Sequence, residues 1–254
     1  MKLLRLMALF AIMLALAACS NGEHAGTSDS STDKAAAADS GDKKAEESKK
    51  SEPKLEVVDQ TGGAWGDSIG SVWVHSAAVF KNTGDTPVMI GESQMNYKDQ
   101  SDGILGTSSM IYSVPRVVQP GETAFVGEST VLEGISDPAA YKETSYNFSF
   151  DEAAEGEGNI LETTGVKGIV GDEWTPYKVT GVVKNTTETL QSDIRLAAGL
   201  FDAEGKLLGV LTGSVDVGVN PGGEAGFELS YPDLPEGVAG KVKSFEVKAY
   251  GFEW

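Results

Sequence analysis

The chain is expected to be all-β, built as two tandem two-sheet sandwiches behind a leader and a polar tether. Three observations carry that expectation. The composition favours strands and turns, the apolar residues alternate with no convincing helical period, and one set of landmarks occurs twice. Glycine makes up 31 of 254 residues, above the usual level of about 7%. It stands among many Thr and Val residues and Pro-Gly pairs. Hydrophobic residues at 40% and aromatics at 8% suffice for modest cores.

The charge balance excludes one class of function. With 38 acidic against 20 basic residues the formal net charge is −18, and loss of Lys2 and Arg5 with a leader makes it more negative. Such a surface repels phosphate backbones, and no basic patch offsets it, so nucleic acid is not expected as a partner. There is one cysteine, which leaves no intramolecular disulfide and no Cys-based metal cluster.

Residues 1–18 have the three parts of an export signal: Lys2 and Arg5, an apolar run over 6–16, and the small residues Ala17-Ala18. The run is short for a spanning helix, which needs about 20 apolar residues. Leu16-Ala17-Ala18-Cys19 resembles a bacterial lipobox. The resemblance implies cleavage before Cys19, a diacylglyceryl group on its thiol, and a protein held at a bacterial cell membrane on the far side from the cytoplasm. Two or three acyl chains anchor stably, at about 0.8 kcal/mol per buried methylene. Ser20 stands where an Asp would signal inner-membrane retention. Residues 19–53 read as a disordered tether, because from Ser20 to Pro53 there is no aromatic, Val, Ile or Leu residue. A flexible coil of that length reaches roughly 30 Å on average and on the order of 110 Å at full extension.

From Lys54 onward three landmarks recur in order. Ala78-Val79-Phe80-Lys81-Asn82-Thr83 returns as Gly181-Val182-Val183-Lys184-Asn185-Thr186. Asp102-Gly103-Ile104-Leu105-Gly106 returns, with one residue more, as Glu204-Gly205-Lys206-Leu207-Leu208-Gly209. Val118-Gln119-Pro120-Gly121 returns as Val219-Asn220-Pro221-Gly222. A period near 100 residues means tandem domains rather than a solenoid. The boundaries expected are 54–150 for the first sandwich, 151–164 for a linker and first strand region, and 165–254 for the second. Each Pro-Gly reads as a type II turn, with glycine at the positive-φ position. The loops 99–103 and 202–205 read as hairpins with Gly103 and Gly205 in the left-handed conformation. In Phe245-Glu246-Val247-Lys248-Ala249-Tyr250, alternation puts Phe245, Val247 and Ala249 on one face. Six or seven such strands per copy argue a two-sheet sandwich.

The second copy resembles the FxLYD family of bacterial envelope domains through Gly181 to Thr186, Ala198-Gly199-Leu200-Phe201-Asp202, Gly205-Lys206-Leu207-Leu208 and Asn220-Pro221-Gly222. The resemblance covers roughly 165–254, and more loosely 60–150, and implies small immunoglobulin-like sandwiches. It departs at the signature, where Ala198 replaces Phe and Phe201 replaces Tyr. In the first copy Lys98 separates Tyr97 from Asp99. The family brings no established catalytic residues to carry over.

The sequence holds no recognisable catalytic grouping. His24 lies in the tether, and His75, beside Trp73 on a strand, reads as structural. No nucleophile elbow, P-loop, HExxH or dinucleotide fingerprint is present. No cofactor is expected, and no transition-metal site, for want of His and Cys ligands. Asp99, Ser101 and Asp102, and separately Asp151, Glu152, Glu155 and Glu157, cluster oxygen ligands without the spacing of a calcium loop. Trp65, Trp73, Trp174 and Trp254 read as core or inter-sheet packing. Asn147 and Asn185 stand in glycosylation triplets, which a bacterial leader makes irrelevant.

Two functions are carried forward. One is a non-enzymatic binding or scaffold module holding an envelope or extracellular protein partner. The other is a solute-binding or sensory lipoprotein with a ligand between the two domains, which requires a concave cleft near residues 151–164. A wall-polymer hydrolase is the weakest reading and requires two facing carboxylates in a groove.

Overall fold

The structure is a computed structural model that describes residues 52–172 and 175–252. The leader, Cys19, all of the tether but its last two residues, His24, Trp174 and Trp254 lie outside the described residues. No helix among the described residues is long and apolar enough to cross a membrane.

The described chain is all-β, with thirteen strands and two short 3₁₀ turns. Its first seven strands are β1 (Leu55–Gly66), β2 (Val72–Asn82), β3 (Val88–Asp99), β4 (Ile104–Ser108), β5 (Val117–Val118), β6 (Thr123–Val131) and β7 (Tyr141–Glu152). They make two antiparallel sheets, β1-β2-β6 and β4-β3-β7, with β5 also on β3. Val74, Phe80, Val88, Met95 and Val126 fill the space between them. The next six are β8 (Asn159–Val170), β9 (Tyr177–Lys184), β10 (Ile194–Phe201), β11 (Leu207–Val215), β12 (Glu224–Leu229) and β13 (Ser244–Gly251). Here β8 serves both layers. Its first residues pair with β13 in the layer β11-β10-β13, and the rest pairs with β9 in the layer β9-β12. It changes layer between Leu161, its last residue on β13, and Glu162, its first on β9; a bulge follows between Thr164 and Lys167, where Gly165 takes φ +61°, a conformation glycine adopts without a Cβ penalty.

The repeated landmarks meet in space. The Asn82 side chain donates to the carbonyls of Thr86 and Val118 at 2.7 and 2.8 Å, and Asn185 donates to those of Thr189 and Val219 at the same two distances. The backbone N–H groups of Gly121 and Gly222 donate to the carbonyls of Asn82 and Asn185. Each buried asparagine thus ties the end of one strand to the Pro-Gly turn. Gly121 and Gly222 have φ +82° and +73°, as the type II turns require.

The hairpin alignment needs a correction. Asp102, with φ +66°, takes the left-handed position in the first loop, whereas Gly205, with φ +78°, takes it in the second. Aspartate tolerates that region better than most residues. The matching positions are therefore Asp102 with Gly205 and Gly103 with Lys206, and the extra residue disappears. Gly103 is needed for another reason: a Cβ there would lie 2.8 Å from the Asp99 carboxylate. Asp99 accepts from the N–H groups of Ser101 and Gly103, and Asp202 from those of Glu204 and Lys206.

The tryptophan expectation is corrected as well. Trp65 and Trp73 face each other across β1 and β2 and stack at 6.3 Å, both half-buried and outside the cores. Trp73 donates its indole N–H to Asp67, whose carboxylate also accepts backbone N–H groups of the β1–β2 turn. The pair staples a hairpin end, where the indole N–H can reach a polar partner.

A third apolar cluster joins the two sandwiches. It holds Ala77, Val79 and Phe125 from β2 and β6, and Ala197, Leu207 and Val210 from β10 and β11. Small residues let the sheets approach: a Cβ on Gly127 would lie 2.7 Å from Val210 Cβ, and one on Gly199 would lie 2.8 Å from the Phe125 ring. Burial follows this contact. Leu207 is 1% exposed at the start of β11, while Ile104, its counterpart on β4, is 58% exposed. The connection over residues 151–164 is mostly strand. β7 runs to Glu152, Ala153 is buried in the third cluster, and β8 begins at Asn159.

Candidate functional site: the seam between the sandwiches

Polar contacts frame the third cluster. Asp59, at a bulge of β1, accepts the backbone N–H of Leu207 at 2.9 Å. The Tyr231 hydroxyl donates to Glu128 at 2.7 Å, and burial, reinforced by that hydrogen bond to a carboxylate, raises the Tyr231 pKa well above the ordinary phenol value. His75 is fully buried, its Nδ1 2.9 Å from Ser129 Oγ. Ser129 Oγ in turn donates to the carbonyl of Asp233 in the second sandwich at 2.7 Å. The serine proton is used on that carbonyl, so the imidazole N–H must sit on Nδ1 and donate to the serine. His75 Nε2 then has no hydrogen-bond partner. Burial lowers the His75 pKa to about 3, so the ring is neutral. It braces the seam and is not placed for acid–base work.

Beside this frame the seam is hollow. The connection 109–116 separates cavities of about 360 and 300 Å³. The larger is lined by Glu128 and Val114 of the first sandwich and by Arg195, Thr212 and Tyr231 of the second. The smaller is lined by Ile90, Ile111, Arg116 and Phe252. Met110, Ile111 and Tyr112 line both. A third cavity of about 190 Å³ adjoins Arg116, Glu157, Asn159 and Phe252.

The separating loop is unusual. Met110 takes φ +56° and is 73% exposed, a conformation costing about 1–2 kcal/mol for a residue other than glycine. Tyr112, 48% exposed, meets Phe252 edge to face at 5.8 Å. The Arg195 guanidinium lies 5.6 Å from the Tyr112 ring centre, and two hydrogen bonds of 2.6 and 3.1 Å to Asp193 hold it there. That bidentate pairing raises the Arg195 pKa and keeps the cation fixed.

Sequence reasoning singled out few of these groups. The junction does hold concavity, but beside an apolar contact rather than as one cleft over 151–164. Glu157 lines the smallest cavity, and its carboxylate accepts the N–H of Ala154. Asp99 and Asp102 are engaged by their own loop and by Lys142, and among the described residues no cluster of three or more His, Cys, Asp or Glu is disposed to hold a metal. Glu92, Glu128 and Glu157 each line a different cavity of these three, so none of the three holds a facing carboxylate pair. Met110, Tyr112, Arg116 and Arg195 carried no sequence signal beyond an aromatic and a methionine in a segment without alternation.

No family model matches the chain, and no curated protein does. Among solved structures it is similar to β-glucuronidase 2 of Bacteroides uniformis, seen as a calcium-binding mutant and as a covalent cyclophellitol-carboxylate aziridine complex. Each match has 10% identity, covers 72% of this chain and 28% of the other, and has a TM-score of 0.19. The Bacteroides uniformis β-glucuronidase structure matches with the same values. At that score the likeness carries no argument about fold or function.

Proposed function

We propose that the protein is a bacterial envelope lipoprotein, anchored through lipid on Cys19, whose double sandwich is a non-enzymatic binding module using the seam as its recognition surface. The observation that carries the seam assignment is Met110: an exposed, flexible apolar side chain held in a left-handed conformation between two cavities. Backbone strain of this kind is kept where function over-determines it, and methionine adapts to irregular partners. Tyr112 adds an amphipathic ring braced by Phe252 and Arg195, the kind of side chain enriched at interface centres. The anchor and tether rest on the lipobox resemblance and on the composition of residues 20–53. The FxLYD resemblance of the second copy agrees with an envelope role.

A second reading, a small solute held between the sandwiches, is favoured by the cavities themselves, whose size approaches the roughly 300–1,000 Å³ of ligand sites.

Two experiments test the proposal. A photo-crosslinker at Tyr112 in intact cells should give a discrete adduct that Met110→Glu abolishes; a diffuse or unchanged pattern would remove the seam assignment. Labelled palmitate should enter the wild type and be lost in Cys19→Ala, which should also leave the membrane fraction. Normal processing and anchoring of that variant would end the lipoprotein reading.

A further inference from the structure

We infer that the 300 Å³ cavity at Arg116 binds a small monocarboxylate with a compact apolar body, an assignment that rests on the seam being the recognition surface. Arg116 is half-buried and lines both this cavity and the smallest one. Its side chain makes one long hydrogen bond, Nε to the Ile90 carbonyl at 3.4 Å. Among the described residues no carboxylate pairs with it, although acids outnumber bases nearly two to one over the chain. Arg195, the other described arginine, has the opposite arrangement, with Asp193 bound through two nitrogens.

A half-desolvated guanidinium without an anion is an incomplete pair. Its planar fork matches a carboxylate through two parallel hydrogen bonds. Apart from Ser113 and Glu92, the side chains of the remaining wall are apolar or aromatic: Ile90, Met110, Ile111, Tyr112 and Phe252. That combination suits a hydrocarbon or aromatic body with one acidic head. Glu92, exposed and also lining the cavity, sets the charge limit. With it in place, and a net charge of −18 around it, a dianion such as a phosphate monoester is repelled more strongly than a carboxylate.

Isothermal titration of the full chain with 3-phenylpropionate, 3-phenylpropylamine and 3-phenylpropanol isolates the head group on one shared body. The carboxylate should bind saturably at one site, and the amine and alcohol at least about 10-fold more weakly, the range expected for a hydrogen bond to a charged group. Arg116→Gln should weaken the carboxylate by about 10- to 100-fold, Arg116→Lys by less, and Glu92→Gln should strengthen it. Inorganic phosphate should not compete. Absence of carboxylate binding to the wild type, equal binding of all three probes, or an unchanged affinity in a folded Arg116→Gln protein overturns the assignment. The comparison of probes on the wild type holds whatever that variant's stability. If no carboxylate binds while the Tyr112 crosslink persists, the ligand class fails and the seam stands; if neither is seen, both fall.

Discussion

Single residues decide more here than their number suggests. His75 is neutral in the fold, with a pKa lowered by burial to about 3, while in the unfolded chain it titrates near 6.5. Between those values the unfolded chain binds the extra proton, so stability falls as pH drops through 6.5 towards 3. The slope contributed is about 1.4 kcal/mol per pH unit, and the contribution is constant above the window. Denaturant midpoints at pH 7 and 4.5 should therefore differ less in His75→Gln than in the wild type; equal shifts would mean that the ring is not neutral and buried in solution. Asn82 and Asn185 each hold two carbonyls. Replacing either by Ala leaves those acceptors without their donors and should cost about 2–4 kcal/mol, with Asn→Asp no better because the donors are gone. Met110→Gly relieves the left-handed strain and should raise stability by up to about 1 kcal/mol while weakening whatever the seam holds. Thermal melts read that gain, and the Tyr112 crosslink reads the loss.

At the scale of elements, β2 and β10 share a property that an ordinary sandwich strand lacks. Each is buried on both faces. In β2, Val74, Ala78 and Phe80 point into the first core, and Ala77 and Val79 into the third. In β10, Ile194, Leu196, Ala198 and Leu200 face the second core, and Ala197 faces the third. Small side chains on the outward face permit the approach, and Gly127 on β6 shows the tolerance. Gly127→Ala puts a methyl 2.7 Å from Val210 Cβ and 2.9 Å from its carbonyl oxygen, which should destabilise by about 1–3 kcal/mol. The matched control is Gly226→Ala on β12, where the nearest atom is 4.0 Å away and little change is expected. The hairpin loops teach a related lesson. Matching Gly103 with Gly205 by letter implied a one-residue insertion, yet both loops have the same length because Asp102 and Gly205 perform the same backbone turn. Residue identity is a proxy for φ, and aspartate and glycine can both supply the left-handed region.

For the molecule as a whole, a shared third core couples the sandwiches. The described residues belong to one compact unit, so calorimetry should show one cooperative transition rather than two. Expression of residues 54–150 alone would expose Ala77, Val79 and Phe125, which are buried in the third core, and should yield a protein that binds hydrophobic dyes or aggregates. Two separated transitions, or a soluble first sandwich that binds no dye, would mean that the interface contributes little. The seam also has a geometric consequence for binding. Its cavities are walled by both sandwiches, so a ligand held there stabilises their apposition, and its affinity and the unfolding temperature should rise together.

Much of this architecture was legible in the order of residues because it is local. Alternation marks strands, Pro-Gly and Asp-containing loops mark turns, and a repeated asparagine with a repeated turn marks two copies of one plan; each follows from backbone sterics within a few residues. The seam was not legible. Nothing local distinguishes Ile104 from Leu207, or a half-exposed Trp65 from a core one. Which face of β2 meets a second protein layer depends on side chains a hundred residues apart. Burial and pairing at such distances are set by packing, which short-range pattern does not record, and the same is true of the recognition surface proposed between the sandwiches.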